Sequence, residues 1–101
     1  MKFENKEFVN EDITLDGNEF IKCTFKKCKI IYIGIKPVGL ANSSFSDCSF
    51  IFEGPAANTI DFMMNMYSGG FRELIEATFN NIRKNIKREP LKFHSKEQFS
   101  T

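Results

Sequence analysis

The sequence predicts an α+β protein, a short square coil of β-structure followed by α-helices. Three observations predict it. Large apolar residues recur every fifth position through the first half, the rhythm stops at Gly54-Pro55, and helical spacing takes over beyond it. The 101 residues suit one domain, and 42% hydrophobic with 27% charged content fits a folded chain.

Every fifth residue from Leu15 gives Leu15, Phe20, Phe25, Ile30, Ile35, Leu40, Phe45 and Phe50. At 42% hydrophobic content, eight in succession arise by chance about once in a thousand. A second track lies two residues earlier in each unit: Ile13, Asn18, Cys23, Cys28, Ile33, Val38, Ser43 and Cys48. A period of five matches neither a helix nor a flat strand. It matches a chain that turns a corner every five residues and points two side chains inward per unit. Four units close a square coil of about 20 residues, and coils stack at strand spacing, about 4.8 Å. Phe25 then stacks on Phe45, Ile30 on Phe50 and Cys28 on Cys48, all interior. Ile35-Lys36-Pro37-Val38-Gly39-Leu40 reads as a turn, so one corner departs from the regular coil.

The stretches Asn18-Glu19-Phe20-Ile21-Lys22, Cys23-Thr24-Phe25-Lys26-Lys27 and Cys48-Ser49-Phe50-Ile51-Phe52 resemble the pentapeptide-repeat family. Units of that family carry a large central residue and a small one two positions before it. The resemblance spans about residues 13–54 and implies a right-handed quadrilateral β-helix of about two coils. It specifies fold far more than function. Some larger members resemble a DNA rod, dimerise through C-terminal helices and bind DNA gyrase, which makes regulation of a DNA-binding enzyme by mimicry one implied alternative.

Residues 1–12 read as an N-terminal strand or cap, with Phe3, Phe8 and Val9 closing one end. Beyond Pro55, well placed to start a helix, Ile60, Met63, Met64 and Tyr67 fall on one helical face, and Phe62 and Met66 on another. Ser68-Gly69-Gly70 interrupts the pattern, leaving open one kinked helix or a hairpin. Phe71, Leu74, Ile75, Thr78, Phe79, Ile82 and Ile86 form a second stripe. Arg83, Lys84, Lys87 and Arg88 suit the negative end of that helix, and Glu89-Pro90 ends it. The helical segment covers 55–88 of a single domain over 1–90, and 91–101, with His94, reads as a mobile tail.

The charges balance, 14 basic against 13 acidic, which argues against nucleic acid or an anionic membrane as a partner chosen by overall charge. Residues 13–54 carry Asp16, Glu19, Asp47 and Glu53 against Lys22, Lys26, Lys27, Lys29 and Lys36, no negative surface for a DNA mimic. The N-terminus lacks a signal-peptide pattern and no apolar run approaches membrane-spanning length, so the expected location is cytoplasmic. The three cysteines are expected as reduced, buried small side chains. With no Cys-x-x-Cys pair and one histidine, no metal site, cofactor or catalytic set is expected.

The outward residues Ile31, Tyr32, Ile51 and Phe52 form an apolar patch on one coil face, and Phe62, Met63 and Met66 give the first helix more apolar surface than one contact needs. These seven are the candidate interface. The expected function is a non-enzymatic protein–protein interaction module, homodimeric, with a protein partner not named by the sequence. An enzyme or ligand-binding protein with a pocket between helix and coil is the remaining alternative.

Overall fold

A computed structural model describes residues 1–86. The chain divides into two compact units, Met1–Asn58 and a second beginning at Thr59.

The first unit holds nine short strands: β1 (Lys2–Glu4), β2 (Glu7–Val9), β3 (Asp12–Thr14), β4 (Glu19–Ile21), β5 (Thr24–Lys26), β6 (Lys29–Tyr32), β7 (Gly39–Ala41), β8 (Ser44–Ser46) and β9 (Ser49–Phe52). They form three parallel three-stranded sheets, β1-β4-β7, β2-β5-β8 and β3-β6-β9. Each turn of chain contributes one strand to each sheet, the arrangement of a β-helix-like solenoid. The pairs Phe25↔Phe45 and Ile30↔Phe50 have the expected register.

The solenoid starts earlier than residue 13 and has three turns rather than about two. The N-terminal residues are its first turn, with Phe3 paired to Phe20, Phe8 to Phe25 and Ile13 to Ile30. A uniform 20-residue step hides this, because the first step is shorter. Phe3 pairs seventeen residues on with Phe20, whereas Phe20 pairs twenty on with Leu40. The difference lies on the fourth side, which carries no strand: the first turn takes seven residues from Ile13 to Phe20, the second ten from the stacked Ile30 to Leu40. Ile35 belongs to that longer crossing and is 61% exposed, not inward as its five-residue phase predicts.

The corners are set by backbone conformation. Asn5, Asn10, Lys22, Lys27, Asn42 and Asp47 all have φ between 52° and 54°. Each lies two residues after an inward residue of β1, β2, β4, β5, β7 or β8. The left-handed conformation reverses the local direction of the chain, and Asn and Asp tolerate it better than other non-glycine residues. The five-residue rhythm is therefore a strand of three plus a corner of two.

Inside, Phe20, Phe25, Ile30 and Cys23 are almost completely buried. The rings stack along the axis: Phe8 on Phe25 at 5.1 Å and Phe25 on Phe45 at 4.8 Å, both near parallel. Around the axis they meet edge to face, as Phe20 and Phe25 do at 5.3 Å. Both geometries are favourable, adding about 0.5–1.5 kcal/mol per pair beyond simple burial. The last turn has no turn beyond it. Leu40 and Phe50 stack in register but remain 41% and 56% exposed, which corrects the expectation that Phe50 is interior.

The helix α1 (Gly54–Ser68) begins where the third turn reaches the fourth side. Ala56 N–H donates to Ile33 O at 2.9 Å, continuing the stacking onto the second turn. Gly34 passes close beneath it at φ 84°; a Cβ there would sit 3.3 Å from the Ala56 Cβ.

The second unit carries the rest of α1 and α2 (Arg72–Arg83). Phe71 N–H donates to Met66 O across the glycine break, and the Tyr67 hydroxyl donates to Glu76 at 2.9 Å. Among the described residues of this unit, Ile75 is the buried hydrophobic one. The second helix ends at Arg83, earlier than Glu89-Pro90 suggests. Asn85 adopts φ 56° and Ile86 N–H returns to Asn81 O, a left-handed cap that an asparagine supports. Lys87, Arg88, His94 and the predicted mobile tail 91–101 lie outside the described residues.

Candidate functional site

The candidate residues fall in two places. On the coil, β6 and β9 put Ile31 beside Ile51 and Tyr32 beside Phe52. Strand alternation separates these pairs. Ile30 is interior, so Ile31 faces outward and half-buried, while Tyr32 turns back and packs against the buried cluster. The four therefore do not share one outward face as expected. Phe52 is 52% exposed, with its ring 6.4 Å from that of Tyr32, edge to face.

In the helical unit, Phe62 is 59% exposed and Met64 63%, whereas Met63 and Met66 are half-buried. Met63, Met64, Tyr67, Ser68, Ile75 and Phe79 line an apolar recess of about 330 Å³. Met64 and Phe79 were read as face-forming residues but not as candidates; the 3.6 periodicity gives the face and not which part of it stays uncovered. At the rim, the hydrogen bond to Glu76, with partial burial and the Glu76 charge, raises the pKa of Tyr67, and Arg72, 5.1 Å over its ring, opposes that shift. Glu73 and Glu76 are exposed.

The cysteines have a structural role that sequence spacing does not reveal. Cys28 Sγ lies 3.4 Å from Phe8 O and from Lys26 O. Cys48 Sγ repeats this with Phe25 O and Ser46 O, and Ser43 Oγ donates likewise to Phe20 O and Ala41 O. At Cys23, Cys28, Ser43 and Cys48 the second track thus takes a small side chain whose donor ties that corner to the preceding turn. Cys23 and Cys28 are buried, Cys48 half-buried because it belongs to the last turn. Among the described residues no group of three or more His, Cys, Asp or Glu is placed to hold a metal ion.

Asp16 is a residue that the sequence reading counted only as a charge. Its carboxylate accepts from the backbone N–H of Ile33 at 2.7 Å, Gly34 and Ile35 at 2.8 Å and Lys36 at 3.3 Å. Partial burial pushes its pKa up, but the four amides together outweigh it and hold the carboxyl below its ordinary range. It organises the long crossing on the fourth side.

Compared with protein-family models, curated proteins and solved structures, the chain finds no match in any of the three. The stacked parallel strands are those of a β-helix-like repeat. No helix among the described residues is long and apolar enough to cross a membrane.

Proposed function

We propose that this chain is a non-enzymatic protein–protein interaction module, a short and divergent pentapeptide-repeat protein with a right-handed coil that works as a cytoplasmic homodimer. The observation that carries the reading is apolar surface without polar machinery beside it. Phe52 on the coil and Phe62 on α1 are each more than half exposed. A rigid, short-stranded scaffold presenting single aromatic side chains suits contact with another protein, where such groups supply most of the binding energy. On the coil, Ile31 and Ile51 share the outward side of β6 and β9, while Phe52 follows Tyr32 on the other side of the strand and is exposed because it belongs to the last turn.

The alternative of regulating a DNA-binding enzyme by mimicry is weaker, since Lys22, Lys26, Lys27 and Lys29 are all exposed on the second turn. A duplex mimic needs the opposite sign.

Affinity capture from host extract tests the reading, with wild-type chain and the variants Phe52→Glu and Phe62→Glu as baits. Partners should be lost on one or both variants while circular dichroism is unchanged. Identical capture by all three baits removes the proposed surface.

A further inference from the structure

Two of the three free thiols share one column of the solenoid. Ser49 N–H donates to Cys28 O at 3.0 Å, and Lys26↔Ser46 and Lys29↔Ser49 pair on either side, so residue 48 stacks one turn above residue 28. Stacked strands lie about 4.8 Å apart, within the Cα separation that a disulfide spans. Cys23 has no such neighbour. Ser43 stacks above it, with its Oγ 3.2 Å from Cys23 N, and Lys6 lies below, its carbonyl accepting from Thr24 N–H. The strand β5 separates Cys23 from Cys28 by about 10 Å, beyond bridging distance. Both stacked thiols lean toward the turn before their own: Cys48 Sγ lies 3.4 Å from Phe25 O, and Cys28 Sγ 3.4 Å from Phe8 O. Cys48 Sγ is therefore already on the side of Cys28, and rotation of the Cys28 side chain toward the third turn closes the gap. Cys28 is 2% exposed, whereas Cys48 is half-buried and the more open of the two to a small oxidant.

We propose that Cys28 and Cys48 form a reversible redox switch that locks the third turn of the solenoid onto the second, with hydrogen peroxide as the oxidant. The Cys48 sulfur attacks one peroxide oxygen. The O–O bond breaks, the thiol proton leaves with the departing hydroxide as water, and Cys48 becomes a sulfenic acid. The Cys28 sulfur then attacks the Cys48 sulfur. The S–O bond breaks, and the hydroxyl leaves with the Cys28 proton as a second water. The two thiols have lost two electrons, and peroxide has gained them. Two molecules of a monothiol such as glutathione reverse the change, restoring both cysteines and leaving as their own disulfide. In the reduced chain, each sulfur ties its corner to carbonyls, one of them on the turn before. In the oxidised chain, a covalent bond holds residue 48 to residue 28 and closes a loop of roughly 20 residues that contains the long crossing, β7 and β8. Closing that loop restrains the third turn from leaving the second. The switch stands whether or not the chain dimerises.

Peroxide treatment of the full, reduced chain tests this. Remaining thiols are then blocked with iodoacetamide in denaturant, and tryptic peptides are read by mass spectrometry without reduction. Cleavage after Lys22, Lys26, Lys27 and Lys29 puts Cys23 and Cys28 on separate peptides. Oxidation should remove two hydrogens per chain, link the Cys28 peptide to that of Cys48, and leave Cys23 to the blocking reagent; glutathione should undo the link. Ser43 already serves this track as a serine, with its Oγ on Phe20 O and Ala41 O, so Cys28→Ser and Cys48→Ser keep a donor at the corner. Either should abolish the link, and Cys23→Ser should leave it intact. Amide exchange separates a switch from an oxidation product without structural effect. At Ser44 and Ser49, whose N–H groups donate to Cys23 O and Cys28 O of the second turn, exchange should slow by about tenfold on oxidation of wild type. In Cys48→Ser, peroxide should leave it unchanged. No link, a link through Cys23, a disulfide between two chains, Cys48 carried on to the sulfinic acid, or unaltered exchange in the linked chain would each overturn the proposal.

Discussion

Asn5, Asn10, Asn42 and Asp47 occupy left-handed corners that suit them, but Lys22 and Lys27 occupy the same corners without the local hydrogen bonding that makes Asn and Asp tolerant. Lys22→Asn and Lys27→Asn should each stabilise the protein by about 0.5–1 kcal/mol, read from urea unfolding midpoints. An unchanged or lower midpoint means that the corner is not strained. Asp16 yields a pH prediction. Its folded pKa lies below the ordinary value of 3.8, so its contribution is complete above that value and is lost as pH falls below it through the folded value. Amide exchange at Ile33–Lys36 should accelerate in that acid window, and Asp16→Asn should produce the same acceleration at neutral pH. Unaltered exchange in the variant would show that the crossing holds itself. The rhythm was readable residue by residue in the sequence; Asp16 was not, because its partners are backbone amides with no sequence signature.

The strands here are three or four residues long, and none is stable alone. Their stability comes from the axial stack, and position in the stack decides each ring's share. Phe25, between Phe8 and Phe45 and 0% exposed, should cost about 3–5 kcal/mol on truncation to alanine. Phe50, 56% exposed in the last turn, should cost the monomer far less. Comparable losses from Phe25→Ala and Phe50→Ala in urea titrations at low concentration would contradict the stacking order. Helix α1 has no fully buried residue, and α2 buries Ile75 alone. Their existence was legible from 3.6-residue spacing and the glycine break. The end of α2 was not, because a single asparagine in the left-handed conformation outweighed the downstream proline.

At the scale of the molecule, a three-turn solenoid is at the lower limit for stacked repeats, which need about three units and capped ends. If the chain works as the proposed homodimer, raising the protein concentration roughly a hundredfold should raise its melting temperature. Equal melting temperatures at both concentrations would count against the dimer. The candidate surface was legible in outline, since apolar residues in excess of the inward tracks stand out in the sequence. Which of them faces outward was not, and Tyr32 turned inward because a strand alternates sides at each residue.

Periodicity by itself determined that this chain coils in units of five, with phenyl and aliphatic groups inward, and turns helical after Gly54. Those facts follow from local preference and from the hydrophobic effect acting on a repeating pattern. The tertiary structure decided the number of turns, the shorter first step and the carboxylate that holds the long crossing. Each depends on what lies one turn away along the axis, a neighbour seventeen or twenty residues distant that no local pattern names.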